Sequence, residues 1–230
     1  VCFGPVITAP SPASARASGH SWEATLWHEF THTVTLSLTQ NRMPRWLSEG
    51  ISVYEEQQAH SGWGQRFKPR YAARLLSGKM TPLDAMAEAF RGGDLAEMDF
   101  AYFQAGLFVK WMVQKGGAAS LRKLLLEIAK GRSATDAIVA QFGSTARVDE
   151  DFKKYAVHWA QKMAGGLRFR AAGERVGESE GVYEDLLSKG ARAPLWAGVR
   201  GRQPPLAGAA ARLQIAICWP ISTTRFEGRQ

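Results

Sequence analysis

The chain of 230 residues is 45% hydrophobic and 22% charged, a balance that lets one catalytic-sized domain bury a core and places it in the globular range. Two cysteines, Cys2 and Cys218, are too few for a disulfide scaffold and form no CxxC metal pair, and no apolar run approaches the roughly 18 residues that span a bilayer. The net charge of +8 rests on arginines and lysines scattered singly without a nucleic-acid-binding motif, so no nucleic acid is expected among the partners.

The chain opens on Val1, and the first ten residues lack the basic start and long apolar core of a signal peptide; it is read as beginning inside a longer product. Val6, Ile7 and Thr8, lying between prolines, predict a short strand. From Ser21 to Leu38 there is no Pro or Gly, and Leu26, Phe30, Val34 and Leu38 recur at helical spacing, which predicts an amphipathic helix with that stripe as its apolar face. Asn41 to Pro44 connects it to a second helix running to Gln58, with Pro44 suited to the first turn. Thr81-Pro82-Leu83-Asp84 and Ser133-Ala134-Thr135-Asp136 each set a hydroxyl three residues before a carboxylate. That arrangement satisfies free amides at a helix start, and predicts helices reaching Phe90 and Phe142. Phe100 to Gln114 and Ala118 to Lys130 are predicted as two helices parted by Gly116-Gly117 and stopped by Gly131, and Asp149 to Met163 as another.

After Gly165 the sequence becomes rich in Arg, Gly, Ala and Pro and loses periodicity, so residues 1–165 are expected to form the folded domain and residues 166–230 a loosely ordered tail. A sharper expectation is that this tail reads out a shifted frame in GC-rich DNA, which resequencing the gene through codon 230 would test.

Chemistry concentrates in His28-Glu29-Phe30-Thr31-His32, an HExxH motif inside the first long helix. Residues four apart share a helix face, so both imidazoles can converge on one metal ion while Glu29, one step round, reaches its water. A catalytic zinc site takes three protein ligands and one open position. Thr35 and Leu38 stand where a metzincin would place glycine and histidine, which excludes that branch. Glu49, 17 residues after His32 and early in the second helix, is the candidate third ligand, and Gly50 beside it is expected to let these two helices approach closely.

Continued by Pro44-Arg45-Trp46-Leu47-Ser48-Glu49-Gly50-Ile51-Ser52-Val53-Tyr54-Glu55, the motif resembles the gluzincin metallopeptidases, in particular the bacterial peptidase MA-like family related to the gluzincin aminopeptidases. Tyr102-Phe103-Gln104-Ala105-Gly106, the Lys115-Gly116-Gly117 turn and the segment from Gly131 to Gly143 extend the likeness over roughly residues 2–160. The resemblance implies an α+β, zincin-like metallopeptidase domain, mostly helical, whose small sheet has its other strands before Val1. It implies Zn2+ held by His28, His32 and Glu49, with Glu29 as general base and Tyr102 as hydrogen-bond donor to the oxyanion. The function implied is hydrolysis of a peptide or protein by a metal-activated water; a non-catalytic zinc-binding interaction module of the same fold is the alternative. Cys2 to Pro12 contains no Gly-x-Met-x-Asn segment and Ser48 stands in place of the aminopeptidases' Asn, so strict aminopeptidase action is not expected. Bacterial relatives often work outside the cytoplasm.

The remaining conspicuous residues receive ordinary roles. His20, His60 and His158 lack a partner at ligand spacing; Glu55 and Glu56 are read as a solvated helix face, with polarising a metal ligand from behind or binding a substrate amine as the alternative; and Trp27, Trp46, Phe103, Phe108 and Trp111 are read as core. The strand within Cys2 to Pro10 is expected to pair with an extended substrate.

Overall fold

The computed structural model describes residues 2–3, 6–17, 21–92, 94–171 and 214–218. Its architecture is α+β and mostly helical. Strands β1 (Cys2–Phe3), β2 (Val6–Pro10) and β3 (Gln214–Cys218) form a small sheet in the order β1-β2-β3. β1 runs antiparallel to β2, with Cys2 opposite Ile7, and β3 runs parallel to β2 from Val6 opposite Gln214 to Pro10 opposite Cys218. Ile7 and Ala9 are buried with the less buried Thr8 between them, the period of a strand with one covered face. One edge of β2 is thus occupied along its whole length and the other over Val6 and Ile7.

Seven helices follow among the described residues: α1 (Pro12–Ala17), α2 (Trp22–Leu38), α3 (Arg45–Ala59), α4 (Pro69–Leu76), α5 (Leu95–Ala129), α6 (Ala134–Phe142) and α7 (Thr145–Ala171). Ser21 starts α2 by accepting the Ala24 amide at 3.1 Å. Gln40 and Asn41 then take left-handed φ values of 53° and 58°, and the chain reverses into α3. Consequently α3 lies between α2 on one side and α5 on the other, while β2 lies against α2. Gly50 serves the second of these contacts, not the α2 approach that its position next to Glu49 suggests. A Cβ on Gly50 would fall 2.7 Å from the Ala105 carbonyl oxygen, and one on Gly106 would fall 2.6 Å from Val53 Cγ1, so two glycines let α3 and α5 cross closely.

α5 begins at Leu95, with Asp94 accepting the Ala96 amide at 3.2 Å. The two helices expected to part at Gly116-Gly117 do so: the run starts earlier than Phe100, and it is interrupted at Gly117, whose φ of 73° and ψ of 173° are not helical. Phe108 of α5 sits at the middle of the core. Its ring lies 5.7 Å from Trp46, 5.1 Å from Trp111 and 4.9 Å from Phe152, tying α3, α5 and α7 together. Trp46, Phe103 and Trp111 are buried as expected, while Trp27 is only partly so.

Three further outcomes differ from expectation. Thr81 to Phe90 forms two short 3-10 turns, Leu83–Ala85 and Glu88–Phe90, because its amides find distant partners: Leu83 N donates to Asp149 of α7 at 2.8 Å and Thr81 N to Gln104 of α5 at 3.0 Å. α7 runs from Thr145, earlier than Asp149, and through Gly165 to Ala171. Of the segment 166–230, the end of α7 and β3 are described; the rest lies outside the described residues, as does His20. Among the described residues no helix is long and apolar enough to cross a membrane.

Candidate metal centre

The two long helices α2 and α3 meet through polar faces. On α2, Thr31, His32 and Thr35 are the buried residues, and the threonines satisfy themselves within their own helix: Thr31 Oγ1 donates to the Trp27 carbonyl at 2.9 Å and Thr35 Oγ1 to the Thr31 carbonyl at 2.8 Å. On α3, Ser48, Ser52 and Glu56 recur every four residues, all buried. The stripe Leu26, Phe30, Val34 and Leu38, apolar by sequence, is the less covered face, with Leu38 42% exposed.

At this seam His28, His32 and Glu49 bring three ligand atoms together. His28 Nε2 and His32 Nε2 are 3.0 Å apart, and each is 3.2 Å from Glu49 Oε2. Ligand atoms on a tetrahedral zinc at ordinary bond lengths stand about 3.3 Å from one another, so a triangle of this size suits such an ion. Two nitrogens and one carboxylate oxygen are also the donor set that borderline metals prefer.

Each imidazole is held from behind. His28 Nδ1 donates to the Glu56 carboxylate, and His32 Nδ1 is hydrogen-bonded to Ser48 Oγ at 2.7 Å, with Ser52 Oγ 3.3 Å away. Ser52 in turn donates to the His28 backbone carbonyl at 3.2 Å. When a metal is held, a proton on each Nδ1 leaves each Nε2 lone pair for the ion, and the carboxylate makes His28 a stronger base.

The charges in the metal-free protein follow. Burial disfavours a charged His28, but hydrogen bonds to Glu49 and Glu56 and their negative charge outweigh it and raise its pKa to about 9. Burial works against ionisation of Glu49 too, yet the two imidazoles hold its carboxyl well below the usual range.

Tyr102, on α5, is tied to this group through Arg45. Its hydroxyl accepts from Arg45 Nη2 at 3.2 Å, and Arg45 Nε reaches Glu49 Oε1 at 3.4 Å. Burial first, and the nearby Glu49 charge second, push the phenol's pKa up, so it keeps its proton. Glu29 follows His28 directly on α2, about 100° round the helix, and is partly buried.

Glu55 and Glu56 do not form a solvated helix face: both are buried, at 1% and 8% exposure, and Glu56 takes the alternative role of bracing a metal-facing histidine, His28. The roles of Arg45, Ser48 and Ser52 were not foreseen. The four-residue repeat of polar side chains from Ser48 to Glu56, among the apolar Trp46, Leu47, Ile51, Val53 and Tyr54, is the signal that could have revealed the bracing residues. His60 and His158 are exposed and apart from the triangle.

A mostly helical domain presenting this donor set from two adjacent helices is of the zincin-like metal-binding class. The sequence profile of the Peptidase MA superfamily matches residues 15–165, and the chain belongs to that superfamily. No match is found among curated proteins or among solved structures.

Proposed function

We propose that the protein is a zinc-dependent peptidase acting on peptides or proteins. The observation that carries the proposal is the donor triangle of His28, His32 and Glu49, with edges of 3.0 to 3.2 Å and both imidazoles braced through Nδ1. Superfamily membership supports the reaction class.

A zinc ion, when bound there, supplies Lewis acidity and lowers the pKa of a water to about 7. The protein's own groups do the rest. Glu29 takes the proton from the attacking water and returns it to the leaving amine. Tyr102, protonated at neutral pH, donates a hydrogen bond to the carbonyl oxygen as negative charge gathers on it. Glu56, Ser48 and Ser52 keep the imidazoles in one tautomer and one orientation.

Mass-spectrometric cleavage profiling of a mixed peptide library by zinc-loaded protein, with Glu29→Gln alongside, tests the reading. Cleavage by the unsubstituted protein and none by the variant, with zinc bound to both, is the expected result. Zinc bound without cleavage by either would favour a non-catalytic zinc-binding module of the same fold. Full turnover by Glu29→Gln would remove Glu29 as the base.

A further inference from the structure

We infer that Arg45 forms a subsite for a substrate carboxylate beside the metal triangle, so that the preferred substrates are peptides carrying a carboxylate close to the cleaved bond. This rests on the peptidase reading above and names its substrate class. A surface arginine ordinarily samples many rotamers. Arg45, although its side chain is 59% exposed, is held by three separate acceptors: Nε meets Glu49 Oε1 at 3.4 Å, Nη1 the Phe90 carbonyl at 3.4 Å and Nη2 the Tyr102 hydroxyl at 3.2 Å. The guanidinium carbon also lies 5.9 Å from the centre of the Phe90 ring. Much of the entropy a flexible arginine loses on gripping a ligand is therefore already lost in the free protein.

A guanidinium carries five N–H donors. These three contacts use one donor on each nitrogen, so one hydrogen on Nη1 and one on Nη2 remain on a side chain that is 59% exposed. Two such hydrogens match the two oxygens of a carboxylate. Glu49 does not fill that role, because its Oε2 is turned to His28 and His32 at 3.2 Å and only Oε1 faces Arg45. Glu88, on the segment that supplies Phe90, is paired with Arg91 at 2.8 Å. Position fixes where the carboxylate falls along the substrate. Arg45 touches one oxygen of the carboxylate whose other oxygen is a corner of the triangle, and an extended peptide advances about 3.3 to 3.6 Å per residue. A carbonyl reacting at the triangle therefore has Arg45 within about two residues. A carboxylate there can come from an Asp or Glu side chain or from the peptide's own C-terminus.

The test uses one neutral peptide cleaved by the zinc-loaded protein, made as C-terminal amide, as free acid, and as amide with a single Glu moved through the positions around the cleaved bond. kcat/KM is measured for the wild type, Arg45→Met, Arg45→Lys and Arg91→Met. Equilibrium binding of the same peptides to Glu29→Gln and to Glu29→Gln/Arg45→Met gives a readout independent of turnover. The expected result is a preference of about tenfold or more for a carboxylate-bearing peptide. Arg45→Met should abolish it, Arg45→Lys restore part of it, and Arg91→Met leave it unchanged. A preference for the free acid would identify the C-terminus as the source, and one for a Glu position an internal side chain. Equal handling of all peptides by the wild type, or a preference surviving Arg45→Met, overturns the inference whether or not the peptides are cut. Arg45-dependent binding without any cleavage would keep the subsite and remove the peptidase reading instead.

Discussion

α2 and α5 bury opposite kinds of surface. In α5 the covered residues include Phe100, Phe103, Leu107, Phe108, Trp111 and Met112, none more than 5% exposed, with Gln104 the polar exception. In α2 they are Thr31, His32 and Thr35, while Leu26, Phe30 and Val34 are only partly covered. Apolar burial positions α5, whereas α2 is positioned against α3 by hydrogen bonds among His28, His32, Ser48, Ser52 and Glu56. α3 belongs to both regimes: Trp46 and Gly50 face α5, and Ser48, Ser52 and Glu56 face α2. The lesson is that one helix can separate stability from chemistry by face, and substitutions on its two sides should separate them in measurement.

The largest effect is expected on the apolar side. Phe108→Ala removes the ring around which Trp46, Trp111 and Phe152 pack and should cost about 3 to 5 kcal/mol in urea denaturation; a loss under ~1 kcal/mol would place the centre of the core elsewhere. Gly50→Ala drives a methyl against the Ala105 carbonyl and should destabilise by about 1 to 3 kcal/mol, a value read from the shift in denaturation midpoint at unchanged slope.

The polar side should respond in metal affinity. Glu56→Gln weakens the grip on His28 Nδ1, and zinc affinity measured against a competing chelator should fall about 10- to 100-fold. Affinity unchanged in that variant would show that His28 does not need its carboxylate partner. In the metal-free protein His28 has a pKa raised from 6.5 to about 9. Its protonation favours the folded state, so that stability is fully present below pH 6.5 and is lost as pH rises toward about 9. Denaturation midpoints in a chelator should fall across that interval, and less so in Glu56→Gln; a midpoint that rises would reverse the sign of the argument. The smallest effect belongs to a helix end remote from both faces. Ser133 accepts the Asp136 amide at 3.0 Å, and Ser133→Ala should cost about 1 kcal/mol with zinc affinity unaltered.

Much of the centre was legible in the chain because helix geometry is local. The spacing of His28 and His32 sets both on one face, and the short connection to Pro44 lets Glu49 return to them. Ser133 and Gly131 were legible for the same reason, each acting within a few residues. What escaped depends on partners far along the chain. Thr81 and Asp84 look like a helix cap, but Gln104 and Asp149 take the neighbouring amides and two 3-10 turns result. Gly50 was matched to the wrong helix because sequence does not say which neighbour comes closest. The apolar stripe of α2 was equally misleading: periodicity finds an apolar face and does not say whether that face is the buried one.

The most direct test of the metal centre is a zinc titration against a competing chelator, made on the wild type and on His28→Ala, His32→Ala and Glu49→Ala. One equivalent bound by the wild type, with binding lost or strongly weakened in every variant while the far-ultraviolet spectrum stays helical, is the predicted result. Binding of the same strength and stoichiometry in any of the three folded variants would contradict the assignment of that residue as a ligand.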